Sequence, residues 1–251
     1  MSASARAVQR PVGRGWVHGM LCDAPRAETA ALLLPPFFHE WQRSYRLFAL
    51  LADALATRGV RVLRFDYRGS GESSGDDAEF LPSRALDDAE AMLAVLREYE
   101  PTRITLVGVR AGALLAEMLA ERHRLPWCAW QGVDSGLEHL AELRERDTIE
   151  RNSRRRFPFL RRDRAPESGM LMGHRVHEEF ALELGIFKRR GEPAVRVDVP
   201  GRCGPADLAL PDPLSDWVGQ IDLQGSVPLA AIAAVATALA ERLRAPAREG
   251  A

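Results

Sequence analysis

The sequence predicts an α/β protein: a mainly parallel sheet with helices on both faces and a small cap-like insertion. Three observations carry this. Segments 30–34, 104–107 and 127–130 are almost wholly apolar, as strands covered on both faces of a parallel sheet must be. Segments of helical length separate them, with apolar residues three and four positions apart. Two strand candidates run into glycine-bearing loops, at 66–75 and 108–112.

In order, residues 17–21 suit an edge strand, and residues 30–34 a core strand ended by Pro35 and Pro36. A helix is expected over about 45–57, where Leu47, Leu50, Leu51, Ala54 and Leu55 share a face and Gly59 stops the chain. A strand at 60–65 leads into the loop DYRGSGESSG, after which Ser83 is placed to cap a helix striped by Leu86, Ala89, Leu93 and Leu96. The strand at 104–107 passes into a helix at 111–122 without a spacer. Residues 135–147 look helical, 167–187 hold a hairpin turn and a short helix, 194–199 a strand, and 205–216, with three prolines, a loop. Residues 228–244 form an Ala-rich helix with Pro228 at its first turn and Leu229, Ile232, Ala233, Ala236, Leu239 and Leu243 on one face. With no repeat and no linker, 1–251 reads as one domain, the insertion spanning about 135–190.

Composition narrows the function. A chain of 251 residues, 46% hydrophobic and 27% charged, suits a soluble globular domain with a substantial core. A net charge of -1 gives no bulk attraction to nucleic acid or to anionic membrane. Cys22, Cys128 and Cys203 are too few and too scattered for a disulfide framework or a zinc site. No metal and no cofactor is expected, and a reducing, cytoplasmic compartment fits. No run is long and apolar enough to span a bilayer. Residues 1–14 lack the apolar core of a secretory signal and are expected to be disordered. Of 34 basic residues only Lys188 is lysine, a coding habit that carries no function.

The sharpest motif is Gly108-Val109-Arg110-Ala111-Gly112, a G-x-x-x-G turn between a short strand and a helix. That is the spacing of a nucleophile elbow, which lifts its central side chain above the sheet beside helix amides able to hold an oxyanion. The centre here is Arg110, whose guanidinium stays protonated and cannot attack an acyl group. None of the six histidines lies after residue 177, and the stretch before the last helix reads Gln224-Gly225-Ser226-Val227-Pro228. Nucleophile and base are therefore both missing from the positions where acyl transfer needs them. Asp198 and Asp207 are the two candidates for a catalytic acid in the C-terminal third.

These residues resemble the α/β-hydrolase fold, most closely over 35–140. Within it the chain is similar to the hydrolases associated with the exosortase A system, of the kind called type 2. The resemblance rests on Pro35-Pro36-Phe37 with Glu40 and Ser44, on the run from Asp66 to Asp76, on Gly108 to Leu115 with arginine at the elbow, on Trp130-Gln131 and on Ser135-Gly136, with a fainter echo at Gly173-His174 and 178–182. It implies a bacterial protein linked to export at the cell envelope. The chain departs from that pattern at His39, where an acid is expected, and in a shortened C-terminal region.

The expected ligand-binding set is Arg110, Ala111, Phe37, Phe38 and His39. At a helix N-terminus Arg110 wants an anion, either a carboxylate of this chain such as Glu40, Asp66 or Asp134, or an acyl or anionic ligand. His39 is read as a pocket-lining acid or base, or as a partly exposed loop residue. Ser135 is read as a displaced nucleophile, with His139 as its one local base, or as the cap of the helix from Gly136. Asp66 is read as structural. Trp41, Trp127, Trp130 and Trp217 are read as core or rim packing. Over 144–164 nine arginines face four acids, around Phe157 and Phe159. This is either a solvated cap with pairs such as Glu150 with Arg154, or a surface for anionic lipid or a partner. The reading that results is an accessory protein that lacks the serine triad and binds an acyl or anionic ligand at the elbow. The alternatives are an ester or thioester hydrolase with a non-standard site and a non-catalytic interaction module using the arginine-rich cap.

Overall fold

The computed structural model describes residues 4–202, 205–216 and 228–245. β1 (Ser4–Val12) and β2 (Gly15–Asp23) form a hairpin, and β3 (Thr29–Leu34) leads into α1 (Phe38–Ala56). β4 (Val60–Asp66) is followed by α2 (Pro82–Arg97), β5 (Arg103–Val109) by α3 (Gly112–His123), and β6 (Trp127–Trp130) by α4 (Gly136–Arg151). A small hairpin, β7 (Met170–Leu171) and β8 (His174–Arg175), precedes α5 (Phe180–Ile186). β9 (Val195–Asp198), β10 (Leu208–Ala209) and α6 (Leu229–Arg244) complete the order.

Eight strands form one sheet in the order β1-β2-β4-β3-β5-β6-β9-β10. β1 pairs antiparallel with β2, and β2 with β4; the remaining pairs are parallel. β3 lies between β4 and β5, and all six of its residues are buried. Its alternate side chains serve opposite faces: Ala30, Leu32 and Leu34 join the cluster under α2 and α3, and Ala31 and Leu33 the cluster under α1 and α6. A strand flanked by other strands and roofed on both sides has no solvent face, which is why TAALLL carries no polar alternation. α1 and α6 close their face through Leu47, Phe48, Leu51 and Leu55 against Ile232, Val235, Ala236 and Leu239.

Several elements differ from expectation. Residues 4–12, expected to be disordered, pair with β2 over nine positions; the strand is mostly exposed and held by ladder bonds, so its composition does not announce it. The hairpin also makes β2 an interior strand rather than an edge. α1 begins at Phe38, seven residues before the expected start, because Pro35 and Pro36 end the strand and Phe38 turns into the helix with φ 49°. Leu81, not Ser83, is the N-cap of α2, with Pro82 in the first turn; Ser83 instead donates its hydroxyl and backbone N–H to Glu183. The stretch 205–216 is not all loop, since Leu208 and Ala209 add a parallel strand. Trp217, Cys203 and residues 224–227 lie outside the described residues.

The loop after β4 is pinned from below. Asp88 of α2, fully buried, accepts from the Arg68 backbone N–H at 2.8 Å and from Arg68 Nε at 2.5 Å. Burial pushes the Asp88 carboxyl up from its ordinary value despite Arg68. Arg68 also donates to the Val12 and Arg84 carbonyls, so one pair ties loop, β1 and α2 together. Removing one partner of a buried pair strands the other, at a cost of about 3 kcal/mol. Asp88→Ala should therefore lower the unfolding free energy by that amount, read as a lower urea midpoint at unchanged slope; a loss below about 1 kcal/mol would show the pin to be incidental.

Candidate functional site

The carboxyl ends of β3, β5, β6 and β9 lie side by side, which is where open α/β sheets place their sites. Arg110 follows β5 with φ 51°, a left-handed conformation unusual outside glycine. Its neighbours show why the turn needs small residues. A Cβ on Gly112 would stand 2.5 Å from the Leu34 carbonyl oxygen and 2.6 Å from that of Pro35, and one on Gly108 would overlap the Ala113 backbone. The Arg110 backbone N–H reaches Trp130 O, and the Ala113 N–H closes back on Arg110 O at 3.0 Å. The elbow backbone is intact; its occupant is what differs from a serine hydrolase.

Arg110 is 2% exposed, and each of its three nitrogens has a partner. Nε donates to Glu40 at 3.0 Å, Nη1 to the Gln131 carbonyl at 3.4 Å, and Nη2 to both Glu142 oxygens at 2.8 Å. Glu40 comes from the first turn of α1 and Glu142 from the second turn of α4. His139, also buried, stands between them, with Nε2 3.6 Å from Glu40 and Nδ1 3.6 Å from Glu142. Burial would raise the Glu40 carboxyl, but Arg110, His139 and His39 together hold the group below its ordinary value. His139 and Arg110 hold the Glu142 carboxyl down at about 2. The anion wanted by Arg110 is thus supplied by the chain. Glu40 was among the expected partners; Asp66 and Asp134 are engaged elsewhere, Asp66 by Trp41 and the Glu72 N–H, Asp134 by Arg189.

The other expected site residues fall as follows. Ala111 is buried at the N-cap of α3 beside Arg110. Phe37 and Phe38 are buried in an aromatic cluster with Tyr67, Phe80 and Phe180. His39 lies inside α1, not in a loop, and is 5% exposed rather than partly exposed. Neither of its ring nitrogens has a hydrogen-bond partner among the described residues, and burial pushes the imidazole down to about 4. Ser135 is the N-cap of α4, its hydroxyl accepting from the Glu138 N–H. Asp198, at the end of β9, accepts from the Val199 N–H and Arg202 while its second oxygen has no partner; Asp207 accepts from the Arg196 N–H. Glu142 was not anticipated. The signal was present: Ser135 as cap puts His139 and Glu142 three residues apart on one helix face.

Two cavities of about 590 and 480 Å³ open between α4 and the segment that follows it. Asp147, Pro166, Glu167 and Met170 line both, and Arg110 lines neither. No cluster of metal-ligating side chains and no helix long and apolar enough to cross a membrane occurs among the described residues.

Residues 34–132, which hold the end of β3, the elbow and β6, match the family described as serine aminopeptidase, S33. Est1E from Butyrivibrio proteoclasticus, solved with bound ferulic acid, shares 17% identity at a TM-score of 0.51, covering 71% of this chain and 70% of that one. The fold is that of the α/β hydrolases. A putative hydrolase from Agrobacterium vitis aligns at 21% identity and TM-score 0.44, over 60% of this chain and 62% of that one. An esterase from Pyrococcus furiosus aligns at 22% and 0.45, over 57% of each chain. The chain thus spans about three fifths of the length of such neighbours. No curated protein matches it in sequence.

Two predictions follow from the cluster. Arg110→Met leaves the Glu40 carboxylate buried and unpaired and should cost about 3–5 kcal/mol of stability, whereas Arg110→Met with Glu40→Met should recover most of it. Urea unfolding of the two variants checks this, and equal losses would contradict it. The second concerns pH. His39 is neutral when folded down to about 4, while the unfolded chain takes up its proton near the ordinary 6.5. Its contribution is therefore complete above 6.5 and lost as pH falls toward 4, amounting to about 3 kcal/mol at most. His39→Leu should flatten the stability profile between those values, and an unchanged slope there would exclude His39 as its source.

Proposed function

We propose that this chain is an α/β-hydrolase family member of the exosortase-associated type that works without serine acyl transfer. In a cytoplasmic setting, its elbow takes an acyl or anionic ligand in competition with Glu142. The observation that carries this is Arg110 at the centre of an intact elbow, with every guanidinium nitrogen bonded. A protonated guanidinium supplies no nucleophile, and a helix N-terminus with a fixed cation is an anion seat. Of its two carboxylates Glu40 is sealed in, while the Glu142 side chain is 49% exposed. Glu142 is thus the leg of the cluster that an incoming carboxylate or phosphate replaces.

A fluorophosphonate probe read by intact mass tests the chemistry. The wild type is expected to carry no adduct; a stoichiometric adduct on any serine, Ser135 included, would restore the hydrolase reading. Calorimetry with decanoate and inorganic phosphate tests the binding. Glu142→Gln should bind one of them about tenfold more tightly than the wild type, and Arg110→Met should not bind it. No binding to Glu142→Gln would leave the elbow a purely structural ion-pair cluster.

A further inference from the structure

Residues 152–164 form a closed protrusion beyond the C-terminal end of α4. Its base is tied across: Arg164 N–H donates to Asn152 Oδ1 at 2.6 Å, Asn152 Nδ2 to the Arg164 carbonyl at 3.4 Å, and Arg151 to the Ala165 carbonyl at 2.9 Å. Arg154 pairs with Asp163 across the loop. The Phe157 N–H bonds Ser153 O, and the Leu160 N–H bonds Phe157 O. The Phe157 ring is half-buried under Arg164, whose guanidinium lies 4.4 Å from its centroid. The loop is therefore braced, and it projects Phe159 into solvent at 93% exposure.

The arginines divide into two groups. Arg151, Arg154 and Arg156 have carboxylate partners in Asp147, Asp163 and Glu150, and Arg164 is stacked on Phe157. The expected pair of Glu150 with Arg154 is not formed; Glu150 takes Arg43 and Arg156. Arg155, Arg161 and Arg162 are exposed and have no ion pair among the described residues. Three uncompensated cations thus flank the apolar stretch Pro158, Phe159 and Leu160 in sequence, with Phe159 its most exposed member.

We infer that this loop docks on an anionic lipid surface, with Phe159 entering the acyl boundary and Arg155, Arg161 and Arg162 meeting headgroup phosphates. An aromatic side chain among unpaired arginines matches that interface, where one end of the contact is apolar and the other negatively charged. A nucleic acid fits less well, because Phe157 is covered by Arg164 and the one exposed ring, Phe159, offers no platform on which successive bases could stack. The contact is independent of the elbow.

The test is co-sedimentation of the whole chain with vesicles of equal parts phosphatidylcholine and phosphatidylglycerol, beside vesicles of phosphatidylcholine alone, at about 0.1 M salt. Binding is expected only to the anionic vesicles. The triple variant Arg155→Gln, Arg161→Gln, Arg162→Gln should lose about a hundredfold in partition coefficient and Phe159→Ser about tenfold. Thermal midpoints should be unchanged, since these side chains are solvent-exposed. Phe159→Trp should show a blue-shifted emission on the anionic vesicles. No binding, equal binding to neutral vesicles, an unaffected triple variant, or tighter binding to a single-stranded RNA oligomer would each overturn the inference.

Discussion

A guanidinium at 2% exposure has given up its water, and a site that keeps it must return charge and hydrogen bonds in kind. At the end of β5 this obligation falls on two helices from distant parts of the chain. α1 must begin early enough to place Glu40 in its first turn, and α4 must dock with Glu142 facing the elbow. The fixed cation therefore constrains both the entry of the first core helix and the seat of α4. Glu40 gains further from sitting at the N-terminal end of α1, where the helix dipole favours a negative group. The pair need not add net stability over an apolar equivalent; what it adds is a requirement that these three elements meet in one arrangement.

The elbow separates backbone from chemistry. Gly108 and Gly112 are demanded by the approach of α3 to β5 and of the turn to β3, whichever residue stands between them. Strand, turn and helix were accordingly readable from spacing alone, and so was the arginine at the centre of the turn. The surroundings of Arg110 were not. Sequence left its partner as a carboxylate of the chain, Glu40 among them, or a ligand anion, but Glu142 belongs to a helix whose buried residues are only Gly136, His139, Leu140 and Leu143. With so narrow an apolar stripe, the direction of each α4 side chain is set by Ser135 as cap and by packing against α5, not by periodicity.

Legibility elsewhere follows the same rule. β3, β5 and α6 bury continuous or regularly spaced apolar residues, so their side chains declare them. β1 is held by ladder bonds on one side and buries little, so SARAVQRPV reads as tail although it forms the edge of an eight-stranded sheet. Its exposed arginines and Pro11 also suit an edge, where charge and proline discourage another strand from pairing. The arginine-rich segment was recognisable as charge, but only the fold sorts it. Some of its cations are spent on Asp147, Glu150 and Asp163, Arg164 is stacked on Phe157, and Arg155, Arg161 and Arg162 are exposed.

Strain converges on the same corner. Phe38, Arg110 and Gln131 follow β3, β5 and β6 and all have positive φ, at 49°, 51° and 43°. For residues with a Cβ such conformations cost on the order of 1–2 kcal/mol each and persist only where surrounding contacts over-determine them. Here the contacts are shared. The Gln131 N–H bonds Val197 O, its carbonyl takes Arg110, and its side chain reaches Ser215 O; Phe38 is locked among Phe80 and Phe180. Three adjacent strand ends are thus held in unfavourable backbone around one cation. Strain of this kind is what a catalytic elbow uses to present a nucleophile, and in this chain it presents a guanidinium to carboxylates instead.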